Sequence, residues 1–305
     1  MATTREIKNK VRSVRNIKKI TEAMEAVAAN KMRRNQILAL AGRPYAQKAL
    51  ILLRNLAHAR LENPSPLMAK RDVKNQLVVV MGSDKGLCGS FNSNVIKELQ
   101  KFASQKQTVS FMPVGKKMIQ FCLSRQLKVV ERFEGLGDFG RAELIEPIAQ
   151  AVLKRFLDKS VDKVTLLYTN FLTTLSQKPT VRALLPISQK SLEQMLTEQT
   201  PRAGKYADTP PLDLNAPPFN YVFEPDENAV LDSLLPQLVR VQLLQALLES
   251  NAAEHSARMV AMKQASDSAG DLLTNLQLAY NKVRQALITR EIAEIVSGKE
   301  ALEGV

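Results

Sequence analysis

The chain has 305 residues, 45% of them apolar and 5% aromatic, with no tryptophan. That length allows one or two domains with a sizeable core, and no run approaches the roughly 18 apolar residues of a membrane-spanning helix. A net charge of +13 points to an acidic partner, and two cysteines, Cys88 and Cys122, exclude a disulfide framework and fit a reducing cytoplasm.

The basicity belongs to one segment. Residues 1–60 contain 14 Lys/Arg and 3 Glu, whereas residues 227–305 contain 7 basic and 10 acidic residues. Nucleic acid, anionic lipid and an acidic protein surface all satisfy such a segment, and charge alone does not choose among them. The opening Met1-Ala-Thr-Thr-Arg-Glu6 lacks the apolar core of a signal peptide, so no export signal is expected.

Residues 1–62 read as a long helix. Thr3 and Glu6 can form a capping box. Apolar residues follow at Ile7, Val11, Val14, Ile17, Ile20, Met24, Val27 and Ala28, with Lys8, Arg12, Arg15, Lys18 and Lys19 outside that stripe. Gly42-Arg-Pro44 should kink or end the helix, which resumes through Leu50–Leu61 and stops before Pro64.

Residues 75–187 change character. The apolar run Leu77–Met81 is a buried strand, followed by a helix over Asn92–Ser104, a strand over Thr108–Val114 and a helix over Lys116–Arg125. A strand at Leu127–Phe133, a helix at Arg141–Leu157, a strand at Lys163–Asn170 and an edge strand at Thr180–Ile187 complete the set. Alternation at these spacings argues a small Rossmann-like α/β domain with a mostly parallel sheet. Residues 188–224, with Pro201, Pro210, Pro211, Pro217 and Pro218, read as an extended loop.

Residues 225–305 are a second long helix, with Asp226 as its N-cap and a kink or short break at Pro236. Alternate steps of three and four lead from Ala252 through His255, Met259, Met262, Ser266, Ala269, Leu273, Leu276, Tyr280 and Val283 to Leu287. This is the 3.5-residue period of a left-handed coiled coil. A helix from Gln237 to Ser297 is roughly 90 Å long and cannot bury its stripe against itself. The N-terminal helix is the available partner. The expected fold is therefore an antiparallel two-helix coiled coil formed by the chain ends, with the α/β domain inserted between them.

No catalytic constellation emerges. Gly135-Leu-Gly-Asp-Phe-Gly140 matches the dinucleotide pattern in letters, but the segment before it is charged and no acidic residue follows on a next strand, so a flexible turn is expected. Gly82-Ser-Asp-Lys-Gly-Leu-Cys-Gly89 lacks the Lys-Ser/Thr ending of a phosphate loop and reads as a tight turn into a helix. Cys88 is expected to be a small buried side chain, and His58 and His255 to be packed or surface residues. No catalytic, cofactor-binding or metal-binding residue is expected.

Three blocks together carry a resemblance: Ile20-Thr-Glu-Ala-Met through Lys31-Met-Arg-Arg34, Ser83-Asp-Lys-Gly-Leu-Cys-Gly through Asn92, and Met259-Val-Ala-Met-Lys through Gly298. In order, spacing and content they closely resemble the gamma subunits of F-type ATP synthases, over the whole chain. The resemblance implies a non-catalytic rotor inside a ring of alpha and beta subunits, with the epsilon subunit and the c ring as further partners and the catalytic residues on beta. It implies a peripheral place on the cytoplasmic face of a bacterial plasma membrane or the equivalent side of a coupling membrane. By position it implies that Met24, Lys31, Arg33, Arg34, Arg284, Gln285 and Thr289 meet beta, and that Tyr221 and Glu224 face the c ring. Ala26 departs from the methionine common in the family, and the 188–220 loop lacks the cysteine pair of the chloroplast redox switch. The alternative is a basic coiled-coil module binding nucleic acid, which would need stacking aromatics that the segment lacks.

Overall fold

The computed structural model describes residues 4–42, 65–104, 108–139, 142–188 and 226–303, with isolated positions at 44–52 and residue 224. In order the elements are α1 (Thr4–Ala41), β1 (Asn75–Met81), α2 (Phe91–Ala103), β2 (Thr108–Val114), α3 (Lys116–Ser124), α4 (Ala142–Leu157), β3 (Lys163–Thr173), β4 (Ser176–Leu185) and α5 (Glu227–Glu303). Thr3, His58, most of the 50–61 helix, Tyr221 and nearly all of the 188–224 loop lie outside the described residues.

The sheet order is β2-β1-β3-β4. β1 pairs in parallel with β2 and β3, and β4 returns antiparallel along β3 as a hairpin. Alternation sorts the side chains onto two faces. Leu77, Val79, Met81, Met112, Leu166 and Tyr168 enter a core with α4 residues Ile148, Val152 and Phe156. Val78, Val80, Phe111 and Leu167 enter another with Val95 and Leu99 of α2 and Met118 and Cys122 of α3. Covered on both sides, β1 can be the continuous apolar run that a central parallel strand requires.

The chain divides into two compact units, one of Ala28–Arg258 and one of Met1–Val27 with Met259–Val305. Both long helices contribute to both units. In the larger, α5 lays Leu231, Leu235, Leu238, Val239, Leu243 and Leu247 into the first sheet core. Arg240 adds a bidentate pair to Glu146 of α4 at 2.6 and 2.9 Å. The Arg240 hydrogen bonds lower the Glu146 carboxyl to about 2.

In the smaller unit, the least exposed side chains of α5 are Met262, Ser266 and Ala269, followed by half-buried Leu273, Leu276, Tyr280 and Val283. From Arg284 to Ser297 every side chain is exposed. On α1 the covered positions are Ile7, Val11, Val14, Lys18 and Thr21. A Cβ built on Gly270 would meet Lys18 Nζ at 3.5 Å, so the ammonium borders that glycine.

Four sequence expectations need correction. Ile17, Ile20 and Val27 are 50%, 59% and 54% exposed, and Lys18 and Thr21 occupy the covered positions instead. The covered positions of α1 follow strict steps of three and four, and the most apolar stripe departs from that register at Ile17. Thr21 tolerates cover because its hydroxyl bonds back to the Ile17 and Lys18 carbonyls. Second, of the kink or short break expected at Pro236 the break is absent: α5 is one helix through it, with Leu231 and Leu235 before it and Leu238 and Val239 after it in the sheet core. Third, Leu127–Phe133 is no strand: only Val129 and Phe133 bridge to β2, since Glu131 between them turns to Arg155 of α4 at 2.9 Å. Fourth, Leu287, the last step of the seam, is exposed. The Asp226 N-cap is present, with Ala229 N–H donating to its carboxylate at 2.9 Å.

Two glycines with positive φ differ in what a side chain would meet. Gly115 has φ +98°, and a Cβ there would fall onto the backbone of Gly82, while Gly135, at φ +72°, faces open space. Gly135→Ala should cost about 1–2 kcal/mol, the left-handed penalty alone. Gly115→Ala should cost distinctly more, because backbone cannot move aside as a flexible side chain can. Urea unfolding of both variants checks this; equal losses would contradict it.

Candidate functional site: a polar joint at the glycine loop

The parallel strands β1 and β2 end side by side, and each is followed at once by a glycine. Gly82 N–H donates to the Val114 carbonyl at 2.9 Å, and Gly115 N–H to the Phe133 carbonyl at 2.8 Å. Asp84 then ties the loops together, accepting from Lys116 N–H at 2.9 Å and Gly135 N–H at 3.1 Å. Gly135 and Gly137 both hold positive φ, with Leu136 between them buried in the first core. A cavity of about 240 Å³ opens here, lined by Asp84, Lys85, Asp138, Asn251, Glu254 and His255 among others.

Gly135–Phe139 is an anchored loop, not the flexible turn expected from sequence. Lys31 donates to the Asp138 carboxylate at 2.6 Å, and Asn35 Nδ2 to the Asp138 carbonyl at 2.7 Å. Asn251 Nδ2 donates to the Gly137 carbonyl at 3.3 Å. The Arg34 guanidinium lies 4.2 Å from the centre of the Phe139 ring, within cation–π range. Three successive loop residues thus hold both α1 and α5.

On α5, Arg258 donates to Glu254 at 2.6 Å and to the Gly86 carbonyl at 3.2 Å. Its Nη1 lies 3.1 Å from His255 Nδ1. Arginine can only donate, so Nδ1 accepts and the ring proton sits on Nε2, which faces Asp138 Oδ1 at 3.5 Å. Burial and the Arg258 charge depress His255 to about 4, against the pull of Asp138 and with Lys31 and Lys85 adding to the depression. Burial raises Glu254, in spite of Arg258, and Asp138 and Asp84 add to the rise. Burial alone would raise Asp138, but the Lys31 hydrogen bond, with the charges of Lys31, His255 and Lys85, holds it below its ordinary value.

This arrangement suits holding rather than bond chemistry. The His255 lone pair is taken by a guanidinium, so the ring is a poor general base. Burial and the Glu254 charge raise the Cys88 thiol, away from the thiolate that a nucleophile needs. Cys88 is instead packed, with Asn92 Nδ2 at 3.2 Å from its sulfur. Among the described residues no group of three His, Cys, Asp or Glu is placed to hold a metal ion, and no helix is long and apolar enough to cross a membrane.

Of the sequence-singled residues, Lys31 and Arg34 join the loop, Met24 is half-buried, and Arg33 is exposed. Arg284, Gln285 and Thr289 are exposed on the bare part of α5, and Glu224 is exposed. Sequence reading missed Asp138, Asn251, Glu254 and Arg258. One local signal existed, the Glu254/Arg258 spacing of four on one helix. The partner of Lys31 lies 107 residues away.

Fold and joint define a class: a mixed α/β domain built onto two long terminal helices, with polar contacts that fasten helices rather than transform a substrate. The ATP synthase family profile matches residues 3–302. The ATP synthase gamma chain of Cupriavidus metallidurans is 41% identical over 306 residues, spanning 99% of this chain and all of that one. The gamma chain of a Cyanothece species is 39% identical over 315 residues with the same coverage. Among solved structures, the rotor of Euglena gracilis mitochondrial ATP synthase matches with a TM-score of 0.62 at 21% identity, covering 93% of this chain and 98% of that one. The central stalk/c-ring structure from Tetrahymena thermophila matches with a TM-score of 0.57 at 26% identity, covering 81% and 99%. The chain belongs to the ATP synthase gamma chain family.

The buried histidine gives a stability signature. Unfolded His255 takes up a proton below about pH 6.5, whereas the folded ring resists until about 4. Acidification therefore favours the unfolded chain across that window, and the loss is complete near pH 4. It amounts to on the order of 3 kcal/mol, while the raised Glu254 works in the opposite sense. His255→Gln should flatten this slope relative to the parent chain. Urea midpoints at pH 4 to 7 test it, and identical slopes would refute it.

Proposed function

We propose that this chain is the central rotor of an F-type ATP synthase, coupling ion-driven rotation of a c ring to the catalytic cycle of an alpha/beta ring. The observation that carries the reading is the smaller unit, in which both ends of the chain meet. The covered positions of α1 and α5 follow the 3.5-residue period, which supports an antiparallel, left-handed coiled coil. Two helices held by one seam resist twisting where a single helix would not.

The unit also has unlike sides, as a shaft must if identical neighbours are to meet different surfaces in turn. Residues 1–27 carry seven basic and three acidic side chains, and residues 259–305 carry five and six. Exposed Ile17, Ile20 and Val27 alternate with that basic surface. On this reading Met24, Arg33 and the basic residues near them meet an acidic beta surface, while Arg284, Gln285 and Thr289 engage beta on the bare part of α5. Tyr221 and Glu224 form the foot toward the c ring, with epsilon against the α/β domain. ATP chemistry is carried out on beta, so this chain is a coupling subunit at the cytoplasmic face of the membrane or its equivalent. Exposed ion pairs contribute little individually, so charge sets orientation more than strength.

Mixing the chain with alpha and beta subunits tests the reading: it should show no ATPase alone and should be needed for the assembled activity. Arg284→Ala with Gln285→Ala should impair the coupled ATPase of the complex while leaving the melting temperature of the chain unchanged. Turnover equal to the parent complex would remove the beta-contact role from this pair.

A further inference from the structure

We infer that Asp138 is the positioning residue of a joint through which the α/β body grips both long helices and passes load to them. The inference rests on the rotor reading above and names the part of the chain that would carry the torque.

Three observations converge on it. The loop is pinned at its root, because Asp84 accepts from the Gly135 amide and Leu136 is buried in the first core. It reaches both helices at once, with Lys31 and Asn35 on α1 and Asn251 and His255 on α5. These contacts also fall within two turns or so of the positions where each helix passes from one compact unit to the other, between Val27 and Ala28 and between Arg258 and Met259. On α5 these bonds add to the anchoring that the helix already has on the sheet.

The chemistry suits the task. Apolar contacts are non-directional, so side chains can slide over one another. A charge-assisted hydrogen bond at 2.6 Å has a preferred length and direction, and opposes sliding. Asp138 offers both its carboxylate and its carbonyl to α1 one turn apart, to Lys31 and to Asn35, so rotating that helix against the body breaks two bonds together. The Asp138 carboxylate also fixes the Lys31 ammonium inward, while Arg33 and Arg34 of the same turn are exposed.

Two measurements test the joint. In the isolated full chain, Asp138→Ala should speed amide hydrogen exchange over residues 28–39 and 251–258 together, and exchange unchanged in both segments would overturn the inference. In the assembled complex the same variant should keep ATP hydrolysis but lose most ATP-driven ion pumping. Lys31→Asp combined with Asp138→Lys rebuilds the pair with reversed polarity and should regain the pumping. Pumping per ATP equal to the parent in Asp138→Ala would overturn the inference. So would a reversed pair that restores slow exchange without restoring pumping, because Lys31 would then act outward on another subunit. If the parent chain itself supports no assembled ATPase, the rotor reading falls, and the exchange measurement still decides whether Asp138 fastens the two helices.

Discussion

A helix of 77 residues cannot bury its own apolar stripe, and much else in this chain follows from how that stripe is covered. α5 solves the problem twice. Its first half lies on the β-sheet, with leucines and valines in the same core as β1 and β3. Its second half shares a compact unit with the start of α1. Where neither cover reaches, beyond Val283, the side chains stand in solvent, and such a surface in a soluble assembly calls for other subunits around it.

The two kinds of cover make different demands. Against the sheet, α5 presents a wide face of large aliphatic residues. In the smaller unit the covered positions narrow and shrink, with Ser266 and Ala269 on α5 and Thr21 on α1. Small side chains at these positions leave only modest apolar area covered per turn. Within the larger unit lies the polar joint, where Lys31, Asp138, Glu254, His255 and Arg258 gather. Its charges are tolerable because each is paired or bonded, and because burial has left the histidine neutral.

The glycine loop shows how a familiar motif can be put to other use. Its letters match a dinucleotide fingerprint, and it stands near the carboxyl ends of parallel strands, where ligands often bind. Yet the Gly135 amide is bound to Asp84, the Gly137 carbonyl to Asn251 and the Asp138 carbonyl to Asn35. The Gly135 amide, the kind of donor a phosphate would need, is engaged within the protein, and the carbonyls hold the helices. The glycines serve a turn that only they adopt without strain, and the aspartate serves helices rather than a ribose.

Local regularity was readable along the chain. The strands showed as apolar runs bounded by glycine and polar residues, the long helices by their sustained periodicity, and the covered positions of α5 by alternating steps of three and four, all of them buried or half-buried from Ala252 to Val283. These features repeat over a few residues, so local composition contains them. The covered face of α1 was not readable, because its most apolar stripe carries Ile17 and Ile20, whereas the covered positions carry Lys18 and Thr21. Register is chosen by the whole length of the contact rather than by the greasiest residues of one turn. Asp138 was equally hidden, since its partners lie 107 residues before it and 117 after it. Only the folded chain could place charge opposite charge there, because no pattern within a single element records which distant element will come to face it.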